Sequence, residues 1–277
     1  MREVMDKGQE KTEYLSDRFR LALTTTTHSR SKIFENHCHS LFEMITVLEG
    51  GIRVIMESGE YLVGANGVIF IPPFAYHTVF TSEAGKYSRI TAHFDNFAIP
   101  EPILSDFVSA TKLNPVTEGP SVVYAVNSLK PILQSGNNRY FEPLLHSVMT
   151  QLFYDVVCLS PETRSQGPVS EMDEVVSSII KYIGENIESK ITLDSIAGKV
   201  FLSKSTVCHL FKSKMKISIK QYVLQKKISY ATALIQQGVP TGEAAKRIGY
   251  LNYANFYTAY KNLTGKSPAE IKPKENT

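Results

Sequence analysis

The sequence predicts a two-part α+β protein, in which a β-rich N-terminal part precedes an all-helical C-terminal part. The 277 residues leave room for two domains, at roughly 100–200 residues per domain. In roughly the first hundred residues, short apolar runs alternate with glycine-containing turns, which is typical of an antiparallel sandwich or small barrel. Beyond the polar, proline-containing segment 160–170, apolar residues recur with a helical period.

Composition excludes several classes of protein. Hydrophobic residues make up 43% and charged residues 21% of the chain, which is too apolar for a disordered protein. The longest clean apolar stretch, Val68–Ile71, ends at Pro72, whereas a membrane-spanning helix needs about 20 apolar residues. The N-terminus lacks the apolar core of a secretory signal. The three cysteines are odd in number and far apart, which argues against a disulfide framework. We therefore expect a cytoplasmic protein without a membrane span.

Charge is distributed unevenly along the chain. Residues 1–171 carry 14 lysines and arginines against 19 acidic residues, a net charge of −5. Residues 172–277 carry 16 against 8, a net charge of +8. A basic end joined to an acidic end indicates that the C-terminal part meets a polyanion, although a solvated basic surface is the alternative.

The N-terminal part is predicted to contain short strands and then helices. Examples of the strands are Met44–Leu48, Ile52–Met56, Tyr61–Val63, Val68–Ile71 and Ser88–Phe94. From about residue 101 the period becomes helical, and an apolar stripe runs from Leu144 to Val156. This wide stripe can pack entirely on the barrel, or partly on the barrel and partly on a second subunit.

The C-terminal part is predicted to contain six helices. They are Asp173–Asn186, Leu193–Val200, Lys204–Lys214, Ile219–Gln237, Gly242–Ile248 and Tyr253–Leu263. Thr192, Ser203, Ser218, Thr241 and Asn252 are suitable N-caps. Gly238 and Gly265 suit helix ends.

Two segments of this part repeat one pattern. Leu193–Lys212 and Thr241–Lys261 each contain a short helix with a small residue, Ala197 or Ala245, and then a capped second helix. This is the pattern of a helix-turn-helix, whose second helix enters the DNA major groove. The intervening helix is about 28 Å long, so it could hold two recognition helices about one DNA turn apart, where about 34 Å is needed.

The helical period predicts which side chains of the two recognition helices face outward. Val207, Leu210 and Phe211 should face inward in the first, as should Phe256, Tyr260 and Leu263 in the second. The DNA-contacting candidates are Ser203, Lys204, Ser205, Thr206, Cys208, His209, Lys212, Asn252, Tyr253, Ala254, Tyr257, Thr258 and Lys261. Lys204, Lys212, Lys214 and Lys261 are expected to bind phosphates.

Arginine is nearly absent from the basic part. Arg247 is its only arginine, beside 15 lysines, so neither recognition helix can make the common arginine–guanine contact. We therefore expect an A·T-rich DNA site, read through Asn, Tyr, Thr and Ser contacts, thymine methyl groups and DNA shape.

The residues of the basic part resemble a known family. The stretches LSKSTVCHLFKSKMKISIKQYV and IGYLNYANFYTAYKNLTGKSPAEIK, within residues 190–272, are similar to the AraC/XylS family of bacterial transcription regulators. Lys227 stands where the family usually has Arg, and Tyr250 where it usually has Phe. The resemblance implies base contacts from Ser205, Cys208 and His209, double-stranded DNA and RNA polymerase as partners, and an activator rather than a repressor.

The same resemblance implies an N-terminal domain that binds a small-molecule effector, frequently a carbohydrate. It also implies a homodimer, with dimer helices near residues 122–158, and an N-terminal arm over about residues 1–22 that responds to the effector. The effector would shift the population between arrangements of barrel, arm and DNA-binding domain.

A second resemblance lies in the barrel. His37-x-His39, Glu43 and Gly50 match the first motif of the cupin superfamily, and Gly67–His77 resembles the second, although Phe74 stands where cupins usually have Gly and no Asn follows His77. This set could hold a divalent metal (Fe, Mn, Ni or Zn), line an effector pocket, or be structural. The effector-binding candidates are His37, His39, Glu43, His77, Phe34, Tyr61, Tyr76 and His93.

The expected architecture is a cupin-like β-barrel with a helical appendage over residues 1–160, a linker over 161–171, and an all-α double helix-turn-helix domain over 172–277. We expect a sequence-specific, effector-controlled transcriptional regulator, not an enzyme, with no cofactor. A metal-dependent cupin enzyme with an accessory helical domain is the alternative. A third hypothesis is an interaction protein whose basic helices bind an acidic partner.

Overall fold

The computed structural model describes residues 9–28, 33–37, 39–81, 85–135, 138–158, 168 and 170–271, with residues 33–37 described by their backbone alone. The strands, in chain order, are β1 (Gln9–Leu15), β2 (Phe19–His28), β3 (Ile33–His37), β4 (Phe42–Glu49), β5 (Ile52–Met56), β6 (Gly59–Val63), β7 (Val68–Ile71), β8 (His77–Thr81), β9 (Gly85–Phe94), β10 (Val116–Thr117) and β11 (Ser170–Glu171). The helices are α1 (Leu104–Leu113), α2 (Pro120–Gln134), α3 (Phe141–Cys158), α4 (Glu174–Glu185), α5 (Leu193–Val200), α6 (Lys204–Met215), α7 (Ile219–Gln236), α8 (Thr241–Arg247) and α9 (Tyr253–Thr264).

The strands form two antiparallel sheets that face each other. One sheet has the order β1-β2-β9-β4-β7-β10 and the other β11-β6-β5-β8-β3. Side chains alternate along β4, so that Met44 points to one face and Ile45 to the other. Met44 belongs to the apolar core shared with the helices, and Ile45 to a second core between the sheets. The predicted barrel with a helical appendage is therefore confirmed.

The helical appendage covers the outer face of the larger sheet. Leu145, Met149 and Phe153 of α3 are buried against this sheet, and the Phe153 ring packs at tilted or edge-on angles against Phe70, Phe94 and Phe107. The apolar stripe predicted in this helix is thus mainly core of the same chain. Leu144, at the edge of the stripe, is 48% exposed.

The N-terminal region is partly built into the barrel. Strands β1 and β2 pair residue by residue, and β2 also pairs with β9 along its whole length. The predicted arm over residues 1–22 was too long, because Gln9 and the residues after it belong to the larger sheet. Residues 1–8 lie outside the described part of the chain.

The end of the predicted linker also joins the barrel. Ser170 and Glu171 form β11, which pairs with Glu60 and Gly59 of β6. Gly59 has a φ of +143°, and a Cβ at this position would lie 2.8 Å from the Ser170 carbonyl oxygen. Glycine therefore permits this close approach. Most of the predicted linker, residues 161–167 and 169, lies outside the described residues.

The C-terminal helices agree with the predicted ones within about two residues at each end. Two details differ. Thr241 is the first helical residue of α8 rather than its N-cap, because Pro240 occupies the cap position. Leu263 does not face inward but is 37% exposed near the end of α9. No helix in the described part of the chain combines the length and apolar character needed to cross a bilayer.

Candidate nucleic-acid interface and histidine–carboxylate cluster

The first recognition helix, α6, packs on its domain through a narrow apolar face. Val207, Phe211 and Met215 are fully buried and recur at helical spacing. Ser203 caps the helix, its Oγ accepting a hydrogen bond from the Thr206 amide at 3.2 Å. The cap fixes where the helix begins, and its opposite face remains in solvent.

The second recognition helix, α9, is built in the same way. Phe256 and Tyr260 are fully buried, and the Tyr260 hydroxyl lies 2.8 Å from Thr232 Oγ1 of α7. Asn252 caps α9, its Oδ1 accepting from the amides of Ala254 and Asn255. Gly265 ends it in the left-handed conformation, as is common at helix C-termini.

The structure leaves every predicted DNA-contacting residue exposed to solvent. These residues are Ser203, Lys204, Ser205, Thr206, Cys208, His209, Lys212, Asn252, Tyr253, Ala254, Tyr257, Thr258 and Lys261. Some of these residues also make contacts within the domain. Lys204 pairs with Asp194 of α5 at 2.6 Å, and Lys261 lies over the Tyr257 ring. Their role in DNA binding stays a prediction.

Asn255 is an exposed residue of α9 that the sequence analysis missed. It precedes Thr258 by three positions, so the helical period already placed it near the candidate face. Asparagine is the side chain best suited to bidentate contact with adenine. It therefore belongs with the candidates for readout of an A·T pair.

Lys227 of α7 connects the two helix-turn-helix units. Its ammonium group donates to the carbonyl oxygen of Ser189, before the first unit, at 2.8 Å and to that of Ile248, in the second unit, at 2.7 Å. Burial lowers the pKa of this lysine. The lysine that replaces the family's usual arginine thus still bridges both units.

Inside the barrel, three histidines surround one carboxylate oxygen. Oε2 of Glu43, which is fully buried, lies 2.9 Å from His39 Nε2, 3.0 Å from His77 Nε2 and 3.8 Å from His93 Nε2. The residues come from different elements: Glu43 and His93 are neighbours on β4 and β9, and His77 begins β8. The predicted set therefore converges, except for His37, whose side chain lies outside the described residues.

The hydrogen bonds of the cluster constrain its protonation. Nδ1 of His39 faces the Leu41 carbonyl at 2.8 Å, and Nδ1 of His77 faces that of Ala75 at 3.1 Å. A carbonyl only accepts, so each Nδ1 carries a proton. A neutral imidazole would then point a lone pair at the Glu43 carboxylate. A proton shared between Glu43 and these Nε2 atoms, or a cation bound among them, would satisfy this arrangement.

The pKa values follow from the same contacts. Burial alone would raise the pKa of Glu43, but hydrogen bonds from His39 and His77, with the charges of His77 and His93, hold that pKa well below its usual range. Burial lowers the pKa of His93, an effect that the Glu43 charge opposes. The carboxylate is thus kept ionised in an apolar surrounding.

The remaining effector candidates lie elsewhere. Tyr61 is buried in the core between the sheets, and its hydroxyl donates to Ser58. Tyr76 packs into the core of the first helix-turn-helix unit, with its ring edge-on to Tyr222 at 5.5 Å. The Phe34 side chain lies outside the described residues.

Residues 196–273 match the family model described as a helix-turn-helix domain. The chain is 23% identical over 237 residues to YdiP, an uncharacterized HTH-type transcriptional regulator of Escherichia coli K12, across 83% of this chain and 78% of that protein. It is 27% identical over 139 residues to the arabinose operon regulatory protein of E. coli K12, across 50% of this chain and about half (46%) of that protein. A crystal structure of ToxT from Vibrio cholerae O395 aligns over 92% of this chain and 97% of its own, at 12% identity and a TM-score of 0.41.

The matched region begins within α5 and contains α6, α7, α8 and α9. The sequence relatives are named as regulators of the same helix-turn-helix class or of an operon. Residues 196–273 of this chain are thus similar to a helix-turn-helix domain, as the motifs of this region predict.

Proposed function

We propose that the protein is a sequence-specific, DNA-binding transcriptional regulator whose barrel domain binds a small-molecule effector. The observation that carries this proposal is the pair of capped, solvent-facing recognition helices on one basic domain, joined by α7 and bridged by Lys227. A rigid α7 of 18 residues spans about 27 Å. That length suits two contacts in successive major-groove turns of one duplex.

The finer features of this proposal follow the resemblance. The protein would act as an activator, contact RNA polymerase, and form a homodimer through the region of α2 and α3. Tyr124, Tyr140, Leu144 and Tyr154 of this region expose large apolar surfaces, which is consistent with a second subunit. A carbohydrate effector would find the polar groups it needs around His39, Glu43 and His93.

The test is selection of binding sites from random DNA with the full-length protein, followed by affinity measurements across a salt series. We expect a preference of roughly a thousandfold or more for the selected sites, an A·T-rich consensus, and affinity that falls as salt rises. Equal weak binding to all sequences would contradict the proposal and favour the interaction-protein hypothesis. A G·C-rich consensus would contradict only the A·T prediction.

Variants sharpen this test. His209→Ala in α6 and Asn255→Ala in α9 should each weaken binding to the selected site by about 1–3 kcal/mol while leaving binding to random DNA nearly unchanged. Lys181→Ala is the matched control, because Lys181 lies on α4 and is 78% exposed. The DNA-binding surface would lie elsewhere if Lys181→Ala lowered the affinity, or if neither His209→Ala nor Asn255→Ala did.

A second candidate function is binding of a divalent metal by the histidine cluster, as a cupin enzyme would require. The ligand atoms of His39, Glu43 and His93 lie within 4.8 Å of one another, and the backbone-held Nδ1 atoms of His39 and His77 leave their Nε2 atoms to face the site. Such second-shell hydrogen bonds are typical of metal-binding histidines. These residues therefore fit a metal, which would supply Lewis acidity there.

Metal analysis of the purified protein, and of His39→Ala, separates the two candidates. The enzyme hypothesis requires about one metal ion per chain and loss of that metal in His39→Ala, with DNA affinity unchanged. If the purified protein contains no metal and binds DNA sequence-specifically, the enzyme hypothesis is rejected and the regulator hypothesis is kept.

A further inference from the structure

An open cavity of about 540 Å³ lies between the barrel and the DNA-binding domain. Such a volume is within the range of small-molecule sites, about 300–1,000 Å³. The barrel contributes Arg18, Arg20, Ser40 and His93 to its wall, and the DNA-binding domain contributes Gln236 and Lys266. Gln236, at the end of α7, already reaches Ser40 with a hydrogen bond of 3.4 Å.

The cavity continues the row of polar groups that begins at Glu43. Arg20 pairs with His93, and His93 with Glu43, at directly opposed positions of β2, β9 and β4. Directly opposed residues place their side chains on the same face of a sheet. His93 therefore stands between the buried carboxylate and the exposed Arg20. Polar side chains thus lead from the histidine cluster to the cavity.

The charges around the cavity favour an anion. Arg20 and Lys266 supply positive charge from both domains, whereas Arg18 lies 3.9 Å from the Asp17 carboxylate. Asp17 and Asp95 also line it, but Asp17 accepts from His146 at 2.9 Å, and Asp95 caps a 3₁₀ turn by accepting from the Phe97 amide at 3.0 Å. Within the described part of the chain, no carboxylate lies within ion-pair distance of Arg20 or Lys266 side chains. These two cations are thus placed to receive a charge from a ligand.

We propose that this cavity binds an acidic sugar, that is, a small polyhydroxylated molecule with one phosphate or carboxylate group. The anionic group lies between Arg20 and Lys266, and hydroxyl groups meet His93, Ser40 and Gln236. A guanidinium is well suited to phosphate and carboxylate oxygens. Because the ligand contacts both domains, it stabilises their docked arrangement. This inference rests on the proposed function, and it names the chemical class of the effector.

The test compares three probes on the full-length protein: D-glucose 6-phosphate, D-gluconate and D-glucose, each at about 10 mM and matched ionic strength. We expect the phosphate, the carboxylate or both to raise Tm by at least about 2 °C through binding to the native state, and glucose to do less. The two anions distinguish the source of the charge. No rise with either anion, or an equal rise with glucose, would overturn the proposal.

Variants locate the effect. Arg20→Gln and Lys266→Gln should each remove the anion-dependent rise, and Lys181→Gln, on exposed α4, should keep it. If Lys266→Gln keeps the rise, the ligand does not bridge the domains and the proposal fails. Binding of the same variants to selected DNA, without probe, is measured in parallel. If the unchanged protein shows no anion-dependent rise but still recognises the selected DNA, this inference alone is refuted. If the unchanged protein does not recognise any DNA sequence, the proposed function is refuted.

Discussion

Glu43 shows how one residue can set the properties of a site. Its carboxylate is fully buried, and three histidine rings point at the same oxygen. Burying a charge without partners costs several kcal/mol. The buried charge is tolerated because hydrogen bonds from His39 and His77, together with the charges of His77 and His93, stabilise the carboxylate. The cluster is therefore a single electrostatic unit rather than four independent side chains.

Replacing this carboxylate should be costly. We expect Glu43→Gln to lower the free energy of unfolding by about 3 kcal/mol, at the low end for breaking a buried ion pair, because His39 and His93 remain partly open to solvent. Glu60→Gln makes the same chemical change in a half-exposed pair with Arg53 and should cost under about 1 kcal/mol. Urea unfolding followed by circular dichroism measures both, and equal stability of the two variants would contradict this view of the cluster.

At the residue scale, sequence motifs could predict part of the cluster. His39, Glu43 and His77 lie in stretches that resemble known motifs, so their spacing identified them. The place of His93 beside Glu43 depends on the pairing of β4 with β9. That register joins residues 50 positions apart, and no local pattern specifies it. Tyr76 was predicted from its aromatic character to line an effector pocket. In the structure it packs instead into the core of the DNA-binding domain, and this long-range contact has no local signal in the sequence.

At the scale of elements, helix α7 serves two partners with neighbouring lysines. Lys226 faces the barrel, where its ammonium group donates to Glu57 at 3.0 Å and to the Phe74 carbonyl at 2.7 Å. Lys227 faces the helix-turn-helix units, donating to Ser189 and Ile248. The two lysines are consecutive, so they point about 100° apart around the helix axis. One contacts the barrel, and the other contacts both helix-turn-helix units.

The separate contacts of Lys226 and Lys227 give a prediction in which one lysine is the control for the other. Lys227→Met keeps the length of the side chain but removes both hydrogen bonds, each worth about 1.5–3 kcal/mol when charged. We expect it to weaken binding to a selected two-half-site DNA by tenfold or more and binding to one half-site only slightly. Lys226→Met should leave both affinities near those of the unchanged protein. Gel-shift titrations measure them, and an equal effect of the two variants would disprove the separate roles.

Elements were predictable where short-range signals decide them. Ser203, Ser218 and Asn252 cap helices as expected, because capping needs only the residue and the next turn. Thr241 was assigned as a cap although Pro240 takes that position, since both residues suit a helix start. Strands β1 and β2 were missed because β1 pairs with β2, whose other partner, β9, lies some sixty residues or more away, and because their many polar residues hide the alternation.

At the scale of the whole molecule, the barrel and the DNA-binding domain share structure. Oε1 of Glu57 accepts hydrogen bonds from the Tyr222 hydroxyl at 2.7 Å and from Lys226 at 3.0 Å. Tyr76, from the same end of the barrel, is fully buried in the core of the first helix-turn-helix unit. The barrel therefore contacts α7, the helix that joins the two helix-turn-helix units.

Removing the charge at this contact should loosen the domains. Glu57→Gln exchanges a carboxylate for an amide and weakens two hydrogen bonds; a loss of about 1.4 kcal/mol corresponds to a tenfold larger undocked population. Cys158 at the end of α3 and Cys208 on α6 are free and exposed, so fluorophores attached to them, in a Cys38→Ser background, report the distance between domains by energy transfer. We expect Glu57→Gln to populate a low-transfer state and Glu60→Gln, whose partner Arg53 belongs to the barrel, to match the unchanged protein. The same distribution in all three proteins would mean that Tyr76 packing, rather than the Glu57 hydrogen bonds, holds the domains together.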